Sequence, residues 1–463
     1  MGLTIALVVI AWVAWMIARK GYATAVLLVA GVFLLGTSVL LDLGPGLTLK
    51  KSTGSGFFDI FQVVQNIMSS NLGGLGLAIM AMGGFSRYMD TLNAGQALYA
   101  VVGGPLKYIK SPYLLACVGF IVSQLIGMAI PSASGLALML MVTLYPVMIR
   151  AGVSRLTAVA IIGSSRFFDL GPGSANCLLA AKTAGIEWAE YFLSWQMKIY
   201  FPLLLTMLVS HYFVQRFWER REGPDPEDLV LQEKFRQEQE GQGNQVPKIY
   251  ALLPIVPLVI LLLFNPVVLG QFGINIKVGV PSAIVLSTFV AMLFEFIRRR
   301  NGFEVLSGMK SFFDGLGKQL TIVVALIIAG QVFGEGLIAI GAVDSLINGV
   351  EGAGLGAGFM IILMSLIIGA VAFLMGSGNA PFFSFAALIP SIAAKMGVPS
   401  AAMLLPLQTM TGFGRTMSPV TGAIVAVAGI AGVSPFQIVK RNAIQLILCM
   451  LVNFILTFTI VLP

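Results

Sequence analysis

The sequence predicts an all-α polytopic membrane protein built from two inverted-topology repeats, each with a re-entrant helical hairpin and a broken transmembrane helix. Three observations predict it. Hydrophobic residues make up 57% of the chain and charged residues only 10%, against about 25% charged in an ordinary soluble domain. Apolar runs able to cross a ~30 Å hydrocarbon core recur along the whole length. Two such runs in each half carry matching interruptions rich in Gly, Pro and Ser.

In chain order, Leu3–Ala18 and Ala23–Leu41 read as two spans joined by Arg19-Lys20-Gly21. The first lacks a small-residue cleavage site, so it reads as an uncleaved span. A polar loop, a weaker segment Phe57–Met68 and a third span Leu75–Met89 follow. Leu114–Met148 would extend ~50 Å as one helix, too long for one crossing. It is interrupted at Pro131-Ser-Ala-Ser-Gly135 and flanked by Lys107 and Lys110 on one side and by Arg150 and Arg155 on the other. Either two full spans meet there in a tight turn or two half-length arms enter and leave from one side. Basic residues at both ends favour the re-entrant hairpin, residues 111–150, with both ends in the cytoplasm. Residues 155–182 read as a helix broken at Asp169-Leu-Gly-Pro-Gly-Ser174. Tyr200–Val214 then completes a first repeat of residues 1–218. Residues 219–248 form a hydrophilic cytoplasmic linker with room for a short surface helix.

The second repeat, residues 249–463, begins with Ala251–Leu269 and Ala283–Ile297, the latter ending in three arginines. Thr321–Ile340 and a loop with Asp344 and Glu351 lead to a second hairpin, 357–394, broken at Gly376-Ser-Gly-Asn-Ala-Pro381. A second broken helix, 400–430, is interrupted over Gly412–Thr421, and Ile444–Val461 is the last span. Gly and Pro at such depth weaken a helix, Gly by roughly 1 kcal/mol relative to Ala. Open backbone is tolerated in a bilayer only where protein or a water-filled cavity covers it.

The halves match in register. Pro131-Ser-Ala-Ser-Gly-Leu aligns with Gly376-Ser-Gly-Asn-Ala-Pro, and Ala151-Gly-Val with Met396-Gly-Val. Gly171-Pro-Gly-Ser aligns with Ser418-Pro-Val-Thr, and Ala184-Gly-Ile with Ala431-Gly-Val. With the arginine-rich loops inside, equivalent spans run in opposite directions and both termini lie in the periplasm. Lys50, Lys51, Lys182, Lys277 and Lys395 then fall outside, a minority of the loop charges. Inverted repeats with opposed hairpins are a transporter architecture whose binding site lies at the repeat interface.

Several function classes are excluded. The net charge of +8 resides in short loops between spans, where topology and anionic lipid explain it without a nucleic-acid partner. Cys117, Cys177 and Cys449 lie in apolar surroundings with no disulfide or metal spacing. The lone histidine, His211, reads as structural, so no metal, cofactor or enzymatic constellation is expected.

The stretches Gly376-Ser-Gly-Asn-Ala-Pro-Phe, Gly414-Arg-Thr-Met-Ser-Pro-Val-Thr-Gly422 and Ser434-Pro-Phe-Gln-Ile-Val-Lys-Arg441 resemble the anaerobic C4-dicarboxylate carriers of the DcuC type, within the ion-transporter superfamily. The likeness extends to Lys20-Gly-Tyr and Ser111-Pro-Tyr-Leu-Leu115, and departs at Arg166 and Asp169, where such carriers look apolar or small. The resemblance implies a homodimeric carrier of succinate, fumarate or malate in the bacterial inner membrane. It further implies an elevator-like motion of hairpins and broken helices.

For such a solute, half-helix N-termini offer positive dipole ends and free N–H groups. Ser132, Ser134 and Gly135, Ser174 and Asn176, Ser377, Gly378 and Asn379, and Thr416, Ser418 and Thr421 supply neutral groups at the four breaks. Arg415 is a candidate carboxylate fork. Arg166 and Asp169 form either a substrate contact or a mutual charge pair along one helix face. Glu335 is a candidate coupling carboxyl, with exchange, H+ symport and Na+ symport all open. Two other readings stay open as well: a carrier of another small anion or amino acid, such as aspartate or an N-acyl amino acid, and an anion channel.

Overall fold

The apolar runs become helices whose breaks fall at the Gly/Pro/Ser stretches. The computed structural model describes residues 2–19, 21–47, 49, 52–103, 109, 111–223, 225–238, 247–264, 276, 278–352, 356–462. Lys20, Lys50, Lys51, Lys107, Lys110, Lys277 and linker residues 239–246 lie outside them. Among the described residues there is no strand, and eight helices are long and apolar enough to cross a membrane. The chain is a polytopic all-α membrane protein.

Two sequence boundaries are corrected. Phe57–Met68 and Leu75–Met89 are not separate segments. They lie in one helical stretch, Gly56–Thr91, which passes through a π-turn at Leu72–Gly76. The glycines there loosen the helix without ending it, since an extra residue per turn keeps the backbone bonded. Likewise Thr321–Ile340 is the rear of Gly302–Ala339, with a π-turn at Leu320–Val324. Its amphipathic front, Gly302–Gln319, lies against Leu77–Thr91. A Cβ on Gly315 would stand 2.6 Å from the Gly83 carbonyl oxygen, so the two backbones touch only because glycine is there. The acidic loop is also a helix, Ala342–Gly352, and the linker does carry one, Pro226–Glu238.

The elements of residues 2–222 recur in the same order in 248–462: two spans, a long π-kinked helix, a short helix, a hairpin, a broken helix and a final span. One group of packed helices joins Ala325–Ala339 to Ala23–Leu41 and Gly302–Gln319 to Leu77–Thr91. A second group holds the hairpins, the broken helices and the two final helices, Met197–Glu222 and Pro435–Leu456. The groups meet where Asn379–Ala386 lies on Ala325–Ala339, with Gly330 admitting the Phe383 backbone.

Candidate binding site at the paired breaks

The first hairpin has arms Pro112–Ala129 and Ala133–Arg150. Ser132 accepts a hydrogen bond from Gly135 N at 3.0 Å and so caps the returning arm. The second hairpin descends through Ala357–Met375, turns at a left-handed Gly376 (φ +63°), and returns as Asn379–Ala386 and Ile389–Lys395. The first broken helix comprises Arg155–Gly163 and Ala175–Ala184. Its open segment starts at Ser164, earlier than the Gly/Pro signal at residues 169–174 indicates. The buried phenylalanines 167 and 168 pack as core within an irregular backbone, which hides the break from hydropathy. The second broken helix, Ser400–Thr416 and Gly422–Ala431, opens only over residues 417–421.

Each hairpin tip rests on the break of its own half. Positions 171 and 173 face the Met128 backbone, while Gly376 lies against Val420 and Thr421, where a Cβ would come within 2.9 Å of the Thr421 nitrogen. The halves also interlock. Ala133–Arg150 packs on Gly422–Ala431, and Asn379–Ala386 packs on Ala175–Ala184.

At this junction three charges are buried together. Arg166 donates to the carbonyls of Gly127 at 2.5 Å and Pro131 at 3.3 Å, and its guanidinium lies 3.6 Å from Asp169 Oδ1. The pair sits in irregular backbone, not along a helix face as the i,i+3 spacing suggests. Arg415 reaches across from the other half, donating to the Arg166 carbonyl at 2.6 Å and to Asp169 Oδ1 at 3.2 Å. Asn176 Nδ2 donates to Asp169 Oδ2 at 2.7 Å. All three charged residues are buried. An isolated charge there would cost several kcal/mol, which the mutual pairing offsets only in part, since two cations share one carboxylate.

Sequence reading missed the residues that hold this cluster. Gln196 and Gln408 both donate to the Asp169 carbonyl, at 3.0 and 2.9 Å, and Tyr191 donates to Gln408 at 2.8 Å. Gln124 donates to the Ser165 carbonyl at 2.9 Å. A buried glutamine in an apolar helix was the available signal, because a polar group at that depth needs a partner. His211 is fully buried, 3.1 Å from Ser164 Oγ at the start of the first break and 3.3 Å from Gln445.

The remaining predicted site residues divide. Ser174 accepts from Cys177 N at 3.3 Å, capping its half-helix, and Thr421 donates to the Arg415 carbonyl at 2.5 Å. Thr416 donates to Gly412 within its own helix. Ser134 and Gly422 are neighbours, whereas Ser132 and Gly135 are exposed at the first tip. Gly378 is buried against Thr411. Ser377 and Asn379 are half-buried and, among the described residues, make no side-chain hydrogen bond. Ser418 Oγ, Asn176 Oδ1 and Arg166 Nε are buried with no hydrogen-bond partner there. Glu335 is half-buried on Ala325–Ala339, one element away from the breaks. Among the described residues no group of three metal-ligating side chains exists.

A buried, net-positive junction with unpartnered polar atoms is chemistry for holding an anion. The family model for DcuC, the C4-dicarboxylate anaerobic carrier, matches residues 1–462. The Vibrio cholerae protein named probable anaerobic C4-dicarboxylate transporter DcuC is 34% identical over 446 residues, covering 96% of this chain and 94% of that one. The anaerobic C4-dicarboxylate transporter DcuC of Escherichia coli K12 is 33% identical over 455 residues, covering 98% and 96%. Family and relatives are transporters and not enzymes. This chain belongs to the DcuC family of C4-dicarboxylate anaerobic carriers.

Proposed function

We propose that the protein is a secondary carrier of C4-dicarboxylates such as succinate, fumarate and malate, binding them where the two breaks meet. The observation that carries this reading is the pairing of Arg166 and Arg415, one from each half, against the single carboxylate of Asp169. A substrate carboxylate supplies the missing negative charge. The second carboxylate falls to Ser377, Asn379, Ser418 and the two half-helix N-termini at Asn379 and Gly422, which have no side-chain cap. A zwitterion such as aspartate is less favoured, because its ammonium would compete with Arg415 and Asn176 for Asp169.

In this reading the halves are inverted repeats in the bacterial inner membrane, with a cytoplasmic linker and periplasmic termini. A homodimer carries the site across by elevator-like movement of the hairpins and broken helices, through exchange or through H+ or Na+ coupling. The element order common to both halves supports the repeats, and the packing of the hairpins on the broken helices supports their moving together. Labelled succinate uptake into proteoliposomes, in competition with fumarate, malate, aspartate and citrate, tests the substrate. Fumarate and malate are expected to compete best. Failure of all three C4-dicarboxylates to be transported would falsify the reading.

A further inference from the structure

The junction of the two breaks holds two guanidiniums, which stay protonated, and one carboxylate. Asp169 is the one carboxylate among the described residues that pairs with either arginine. It is also firmly held. Asn176 bonds its free oxygen, and Gln196 and Gln408 pin its backbone carbonyl from two other helices. A carboxylate fixed in this way cannot swing aside when an anion arrives.

We propose that Asp169 is a built-in counter-ion that balances the electrostatic cost of moving the empty carrier against that of the loaded one, and so permits net transport as well as exchange. The proposal rests on the dicarboxylate reading above. With Asp169 ionised, the empty cluster carries one net positive charge, and a dianionic substrate turns this into one net negative charge. The cost of holding charge in a low dielectric rises with the square of its magnitude, so the two forms are matched. Without the Asp169 charge the empty cluster is doubly positive and the loaded one neutral. The loaded carrier then moves easily and the empty one is stranded. Such a protein exchanges dicarboxylates but cannot return empty.

The test compares two fluxes in the same proteoliposomes: exchange of labelled for internal succinate, and net efflux of labelled succinate into substrate-free buffer. Asp169→Asn is expected to lower the ratio of net to exchange flux by about ten-fold or more. Asp169→Glu is expected to keep it within about two-fold. The double variant Arg166→Gln/Asp169→Asn, which restores one net positive charge, should recover the ratio. Equal loss of both fluxes in a folded Asp169→Asn protein, or no recovery in the folded double variant, overturns the proposal and leaves Asp169 as a structural ion pair. Should Asp169→Asn fail to fold, the ratio of the charge-balanced double variant decides in the same way. Absence of any C4-dicarboxylate exchange by the wild type is a separate result, seen before any variant is made, and it overturns the functional reading itself.

Discussion

The two breaks occupy equivalent places in the chain and are built differently. The first, residues 164–174, is long, carries both Arg166 and Asp169, and leads into a half-helix capped by Ser174. The hairpin above it is likewise capped by its own Ser132. The second break, residues 417–421, is short, contributes Arg415 from its rim, and leads into a half-helix with no side-chain cap. Its hairpin arm at Asn379 is uncapped too. The first half thus satisfies its own backbone and brings the charge pair. The second half leaves N–H groups unclaimed and reaches across with one guanidinium. A dicarboxylate has two ends, and in the proposed reading the asymmetry offers a charged seat for one and a neutral, dipolar seat for the other.

The strongest way to break this comparison is at Arg415. Arg415→Lys keeps the charge but removes the guanidinium whose Nη2 bonds both the Arg166 carbonyl and Asp169. Uptake of labelled succinate should fall about ten- to a hundred-fold, and full activity would remove Arg415 from the site. A sharper contrast sets Ser418→Ala against Ser132→Ala. Ser132 is a cap, so its loss should cost about 1 kcal/mol of stability, read as a lower melting temperature in detergent. Ser418 has an unpartnered buried hydroxyl, so its loss should leave melting in place and raise KM for succinate several-fold, by roughly the worth of one hydrogen bond to a charged group. The opposite pattern would reverse the assignment of the two seats.

The smallest expected effect lies at the linker helix Pro226–Glu238, which docks on the first half. Arg155, at the head of the first broken helix, bonds Asp225, Glu227 and Asp228, and Gln232 reaches the Arg150 carbonyl. The bond from Arg155 holds the Asp225 carboxyl below its usual value. Its contribution is therefore complete above the ordinary carboxylate pKa and is lost only as pH falls through the lowered one. Burial pushes Asp228 the other way, so its ionisation opposes docking and mild acidification relieves that cost. Limited proteolysis of Pro226–Glu238 should show unchanged protection from pH 7 to about 5, with release only in stronger acid. Release between pH 7 and 5 would show that Asp225 is not the anchor.

Hydropathy located both helix interruptions, because Pro131-Ser-Ala-Ser-Gly135 and Gly376-Ser-Gly-Asn-Ala-Pro381 break runs too long for one crossing. The buried charges were legible for the same reason, since Arg166, Asp169 and Arg415 stand out in an apolar chain, and the structure brings them together. The π-turns at Leu72–Gly76 and Leu320–Val324 were not, because they leave both composition and the helix itself continuous. The amphipathic front of Gly302–Ala339 was missed because its polar residues depress local hydropathy below that of a span.

Composition and local chemistry alone determined that this chain is helical, membrane-embedded and broken at four places, since a bilayer admits few other ways to satisfy a backbone. Only the tertiary structure decided which charges meet. Arg415 and Asp169, Gln408 and the Asp169 carbonyl, and Ser134 and Gly422 are partners drawn from opposite halves of the chain. Their pairing depends on how two broken helices interlock, and no periodicity within either helix encodes that.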